Sequence, residues 1–309
     1  MLNLVAGDWK GTGVALAWAA LRAGQAALDA IEQGIRAVES NPDDCSVGLG
    51  GLPNLVGEVE LDGAVMDGRT RAAGAVGNLR GYAHPVSIAR AIMEKLPHVM
   101  LVGAGAARFA DEIGAERAEL LTEDSYRQWQ AWLGKNGVDA ANLGHMPLAR
   151  AAWAAMDPQH AGGTTVYLAQ DAAGNIAAAT STSGCAWKYP GRLGDTPVVG
   201  AGLYADNRYG AAACTGIGEL AIRTSLARST VLYMKMGMSV EEAVHEAMDD
   251  MASLPDWRAG GLTLYAIDAA GGHCTVGAYK DDRDDSPRYH VAAGDQSQPV
   301  ERDVTRLDV

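Results

Sequence analysis

The chain has 309 residues, 48% of them hydrophobic and 20% charged, which is too apolar and too weakly charged for a disordered polymer. Its formal net charge of −13 repels phosphate backbones, and no basic stripe overrides it, so nucleic acid is excluded as a partner. No apolar run reaches the roughly 20 residues that a membrane span needs, and residues 1–9 carry no basic leader, so a cytoplasmic protein without membrane contact is expected.

Taken in chain order, Leu28, Ile31, Ile35 and Val38 recur at helical spacing within residues 25–39, and Asn41-Pro42 stops the run. The glycine-rich stretch 47–54 reads as loop. Residues 56–66 are strand-like, with a turn at Asp62-Gly63. Residues 85–96 predict a second amphipathic helix, and 99–102 a short, fully apolar strand. From about 115 to 163 the periodicity fades, which predicts helical pieces followed by a flexible connector. Residues 164–170 and 175–181 predict a hairpin, and 262–267 with 273–279 a second one. The strands of both are too apolar to face water. Two helices, 218–235 and 239–251, lie between the hairpins. The tail from Asp281 is polar and reads as surface. Strands with helices before, between and around them argue for a layered α/β domain.

Several suggestive patterns have plainer readings. The four cysteines, Cys45, Cys185, Cys214 and Cys274, share no CxxC spacing and read as free thiols, with no metal and no cofactor expected. Gly103-Ala104-Gly105 follows a strand and opens a helix, but the third small residue of a dinucleotide fingerprint is displaced. A tight strand-to-helix turn accounts for it, and a nucleotide-dependent enzyme is the reading it leaves behind. His245-Glu246 lacks the second histidine of a zinc-protease helix. Trp129 and Trp132 stand one helical turn apart, as core packing does.

Chemistry concentrates between Gly163 and Glu219. This stretch holds Gly163-Thr164, Thr180-Ser181-Thr182-Ser183-Gly184, Arg192-Leu193-Gly194-Asp195 and Cys214-Thr215-Gly216-Ile217-Gly218. Glycines and small hydroxyl residues crowd where backbone must approach a ligand closely. Arg192 and Asp195 have the charges to grip a zwitterion, or they pair with each other. Thr215-Gly216, at a loop-to-helix junction, offers donors where an oxyanion could form.

These residues, with the stretches 47–54, 58–68 and 97–103, resemble the threonine-dependent asparaginases among the N-terminal-nucleophile hydrolases. That family includes the glycosylasparaginases and the isoaspartyl peptidase/plant-type asparaginases. The resemblance implies a four-layer αββα sandwich and a precursor that cuts itself before a threonine. It implies a domain processed into residues 1–163 and 164–309, paired into a homodimer of αβ units. By position, Thr164 would be the nucleophile, Thr182 would tune it, and Thr215 with Gly216 would form the oxyanion hole. Arg192 would hold the α-carboxylate of a small aspartyl or asparagine-type substrate, and Asp195 with Gly218 its α-amino group. Trp9 stands where the glycosylasparaginase branch places a tryptophan near the substrate entrance.

The physical logic runs alongside. A threonine hydroxyl needs a base, and cutting before Thr164 would free an α-amine of pKa about 8 to serve as one. The chain departs from the family at His160, which three residues separate from Thr164, and at Thr165-Val166, where the family has Ile or Val and then Gly. Thr165 is therefore an alternative nucleophile, and Val166 puts a side chain where the family has none. Within the family, the 182–192 and 202–207 segments favour glycosylasparaginase-like activity and Gly163 favours the isoaspartyl peptidase/L-asparaginase type. An uncleaved, non-catalytic binder of aspartyl amino acids is the reading from another class.

Overall fold

Strands read as too apolar for a solvated face have both faces covered. A computed structural model describes residues 2–139, 143, 148–155, 163–256, 261–279 and 287–307. Its larger sheet runs β12 (Val300–Asp303), β11 (Arg288–Ala293), β1 (Asn3–Gly7), β5 (Thr165–Gln170), β6 (Ile176–Thr182), β2 (Leu61–Asp67), β3 (Ala73–Leu79) and β4 (Met100–Val102). The smaller runs β13 (Thr305–Arg306), β10 (His273–Ala278), β9 (Leu262–Asp268), β8 (Gly210–Gly216) and β7 (Leu203–Asp206). Neighbours are antiparallel except β3 with β4 and β10 with β13.

Alternation along each strand divides the core. Val166, Leu168 and Ala178 of the larger sheet meet Leu203, Ala211 and Ile267 of the smaller. Tyr167, Ala169 and Ala179 point the other way, against α1 (Val14–Arg22) and α2 (Ala27–Glu39). Behind the smaller sheet, Ala212, Leu264 and Val276 pack under α8 (Leu226–Lys235) and α9 (Val240–Ala252). Each sheet thus has helices on its outer face.

The helices expected at 25–39 and 85–96 are α2 and α3 (Pro85–Lys95). The one expected at 218–235 is two helices. Ser225 takes a left-handed φ of 49° and separates α7 (Gly218–Thr224) from α8. No glycine or proline marks that break, so periodicity runs through it. The expected turn at Asp62-Gly63 is instead an irregularity in the pairing of β2 with β3. Strand β4 is partly exposed rather than buried, because it lies at the sheet's edge. Gly103, with φ 53°, makes the tight turn into α4 (Gly103–Glu112).

One expectation fails on packing. The tail contains β11, which lies beside β1 and buries Tyr289 and Val291. The helical pieces expected from about 115 on include α5 (Glu123–Lys135), which starts with a Thr122/Ser125 capping box. Trp129 and Trp132 are buried, and Trp132 stacks on Trp187 with ring centroids 6.0 Å apart. After α6 (Ala149–Ala155), the end of the connector, including His160, lies outside the described residues, as do residues 280–286 of the tail. Among the described residues, no helix is long and apolar enough to cross a membrane.

Candidate active site

The antiparallel register of β5 and β6 opposes Thr165 to Ser181, so Thr164 and Thr182 share one end of the hairpin. The Thr182 hydroxyl donates to the Gly163 carbonyl oxygen at 2.7 Å and accepts from the Gly184 amide at 2.9 Å. From the other sheet, Thr215 on β8 accepts from the Thr164 amide at 3.0 Å. Both sheets therefore hold the Gly163–Thr164 peptide, one on each side of it.

A third contact comes from a residue that the sequence reading passed over. A Cβ at Gly163 would sit 2.9 Å from Ser46 Oγ, so glycine lets this segment lie against the 44–51 loop. The Ser46 hydroxyl donates to Asp44 at 2.6 Å. Its carbonyl accepts from the Ser183 amide at 2.8 Å and the Ser183 hydroxyl at 2.9 Å. The glycines after Ser46 were visible as loop, but a lone serine before them carries no spacing that marks chemistry.

Arg192 and Asp195 do not pair by hydrogen bonds. Arg192 forms a two-toothed ion pair with Glu219, Nε to Oε1 at 2.9 Å and Nη2 to Oε2 at 2.7 Å. Burial pushes the Glu219 carboxyl up, but the hydrogen bonds and charge of Arg192 outweigh it and hold it below the usual range. Glu219 was seen only as the end of a motif. Asp195 is 3% exposed, and its Oδ2 finds no hydrogen-bond partner. Burial pushes its carboxyl up to about 7, with the Arg192 charge pulling the other way. A Cβ at Gly218 would lie 2.5 Å from Asp195 Oδ1, so the bare glycine at the start of α7 admits the carboxylate. Gly216 has φ 122° and leans on the Gly261 carbonyl, a position that only glycine tolerates.

Asp62 lies opposite Thr182 in the β2–β6 ladder and is fully buried. Its Oδ1 accepts from the Asn78 amide at 2.8 Å and its Oδ2 finds no partner. Burial raises its carboxyl, and the Lys188 ammonium opposes that. Trp9 is 71% exposed on the loop after β1 and makes no hydrogen bond to this cluster. Asp8 anchors that loop, accepting from Tyr167 Oη and the Gly13 amide, each at 2.8 Å.

The arrangement assembles a hydroxyl beside a peptide bond, an unsatisfied carboxylate, and a guanidinium already oriented by a carboxylate. Such a set suits acyl transfer on a zwitterionic amide. The family profile described as Asparaginase matches residues 12–281. An N(4)-(Beta-N-acetylglucosaminyl)-L-asparaginase of Elizabethkingia miricola is 40% identical over 246 residues, covering 80% of this chain and 68% of that protein. An isoaspartyl peptidase/L-asparaginase of Mus musculus is 39% identical over 236 residues, covering 75% and 68%. A plant-type L-asparaginase of Thermococcus kodakarensis is 38% identical over 237 residues, covering 75% and 74%. On that match and those identities, the chain belongs to the asparaginase family and is an amidohydrolase of the N-terminal-nucleophile type.

Proposed function

We propose that this amidohydrolase cuts its own chain between Gly163 and Thr164 and then hydrolyses the β-amide of an aspartyl substrate. The observation that carries the reading is the hydrogen bond from Thr182 to the Gly163 carbonyl, which withdraws electron density from the bond to be attacked. Thr164 Oγ adds to that carbonyl carbon, its proton passes to the Thr164 nitrogen, the C–N bond breaks, and the acyl group moves from nitrogen to oxygen. Water then cleaves the ester, leaving a carboxylate on Gly163 and a free amine on Thr164.

The same oxygen next attacks the substrate amide while the new amine takes its proton. The proton passes to the departing amine or ammonia, and water releases aspartate from the acyl-enzyme. Arg192 holds the α-carboxylate, while Asp195 and Gly218 hold the α-ammonium. Thr215 and Gly216 face the developing oxyanion. Strand alternation favours Thr164 over Thr165. Val166 and Leu168 point between the sheets, toward β8, whereas Thr165 shares the helix-facing side with Tyr167. Val166 is absorbed by the inter-sheet core, where its side chain is fully buried.

We assign glycosyl-asparagine as the preferred substrate, with Trp9 at the entrance, on the 182–207 motifs and on the relative of that name. The second reading, isoaspartyl peptidase or L-asparaginase, is favoured by Gly163 before the cut and by relatives of that name. Helices on the outer faces of two facing sheets support the four-layer αββα sandwich. The free cysteines support a cytoplasmic setting, and the family resemblance alone supports a homodimer of processed units. Turnover of a glycosyl-asparagine, L-asparagine and a β-aspartyl dipeptide separates the readings. Reaction of only the last two refutes the first assignment, and an active preparation that stays whole on denaturing electrophoresis refutes self-cleavage.

A further inference from the structure

We propose that Glu39 is a positioning residue for the reaction, fixing Thr182 and the Ser46 loop from the opposite face of the sheet. Glu39 ends α2 and is completely buried. Its Oε1 accepts from the Ser181 hydroxyl at 2.7 Å and the Val86 amide at 3.1 Å, and its Oε2 faces His84 Nδ1 at 3.1 Å. Ser181 directly precedes Thr182 on β6, so the two side chains leave opposite faces of one strand. Glu39 grips the helix-facing residue, and Thr182 grips the Gly163 carbonyl.

The main chain of Glu39 reaches the second element of the site. Its carbonyl accepts from the Leu49 amide at 2.8 Å. Gly48, with φ 59°, is pressed so closely on Glu39 that a Cβ there would collide with the same oxygen. The 44–51 loop is thereby pinned to α2 at one end, while Ser46 is pinned to Ser183 at the other. One residue thus ties together the strand of Thr182, the loop of Ser46 and the start of α3.

A buried carboxylate is an expensive fastening, because an apolar side chain of similar volume often holds a core equally well. Its retention makes sense where groups on β6 and at the start of α3 must converge at fixed distances. His84 completes the arrangement on the outer side, with Nε2 at 3.5 Å from Glu116, beside a small cavity lined also by Arg36 and Ser87. None of these groups reaches the Gly163–Thr164 bond. The effect of Glu39 therefore passes through Ser181 and the 44–51 loop.

The proposal rests on Thr164 as nucleophile after self-cleavage, and its test keeps the two apart. In Ser181→Ala, self-cleavage and kcat are expected to fall about tenfold, since small misplacement of reacting groups slows attack steeply. KM should stay within about twofold, because Arg192 and Asp195 lie on other segments. Glu39→Gln retains an acceptor for Ser181 and should recover most of the rate. Thr230→Val removes a fully buried hydroxyl of α8 and serves as the stability control. Wild-type kcat and processing in Ser181→Ala overturn the proposal, and so does an equal fall in kcat for Thr230→Val. A wild-type chain that never splits, run alongside, overturns both readings.

Discussion

Thr182 donates to the carbonyl oxygen of Gly163 at 2.7 Å, so the residue expected to tune the nucleophile also polarises the bond in front of it. Removing that hydroxyl should therefore impair processing as well as turnover. We expect Thr182→Ala to slow self-cleavage by about 10²–10³, the usual loss for one oxyanion-type donor. A time course of fragment appearance on denaturing gels measures it. Processing at the wild-type rate would remove Thr182 from this step.

Alternation along β5 favours Thr164 over Thr165 for the proposed role. Thr164→Ala should leave the chain whole, and Thr165→Ala should still yield a fragment whose first residue is Thr164. N-terminal sequencing of the smaller fragment reads this directly. A fragment that begins at position 165 would shift the nucleophile by one residue.

Arg192 already spends Nε and Nη2 on Glu219. A lysine cannot hold Glu219 and a substrate carboxylate with the same planar fork. Arg192→Lys should raise KM by about 10–100-fold while self-cleavage, which needs no substrate carboxylate, proceeds normally. Unchanged KM would place the α-carboxylate elsewhere.

Asp195 gives the protein a pH dependence near neutrality. An ammonium group needs the ionised carboxylate, whereas burial keeps this acid half-protonated at about pH 7. kcat/KM should therefore rise with pH through about 7, and the proposed Thr164 α-amine base, of ordinary pKa about 8, extends the rise before it levels off. For stability the sign is opposite. The folded value lies above the ordinary 3.8, so the contribution is complete below 3.8 and is lost as pH climbs through about 7. Asp195→Asn should accordingly be more stable than wild type at pH 8, by about 1–3 kcal/mol, and inactive. Calorimetry across pH tests the first point and assays the second.

Helix α5 should bear load. Trp129 Nε1 donates to the Leu55 carbonyl at 3.2 Å, and its ring lies over Gly57, where a Cβ would come within 2.9 Å of it. Trp129→Ala in the uncut Thr164→Ala background should lower stability by about 3 kcal/mol. Urea unfolding of the single chain provides the measurement. A change below about 1 kcal/mol would show that α5 adds little to the stability of the fold.

What the sequence disclosed follows the strength of its local signals. Helices α2 and α3 were legible because their apolar residues repeat on one face. The β5–β6 hairpin was legible because an Asp-Ala-Ala-Gly turn interrupts two apolar runs. Strand β11 was hidden in a polar tail because it lies second from the edge, with Arg288 and His290 turned outward or partly covered. Strands β7 and β8 carried no strand reading, since their glycines and alanines answer to close packing between layers rather than to strand propensity. At the site, Thr164, Thr182, Thr215, Arg192 and Asp195 could be named, but not who touches whom. Glu219 displaced Asp195 as the hydrogen-bonded partner of Arg192, and Ser46 entered only through folding, 117 residues before Gly163 in the chain.

Strand order in the larger sheet has a consequence for the life of the molecule. Strand β1 lies between β11 and β5, and β6 adjoins β2, so segments from either side of Thr164 alternate across one hydrogen-bonded surface. The proposed scission there would sever a link without separating the parts, which would stay interlaced as weft and warp. Maturation by that route would be a one-way passage. The intact polypeptide could find its shape alone, whereas a molecule cut as proposed, once melted, would have to find its second strand in solution, and its recovery should depend on dilution.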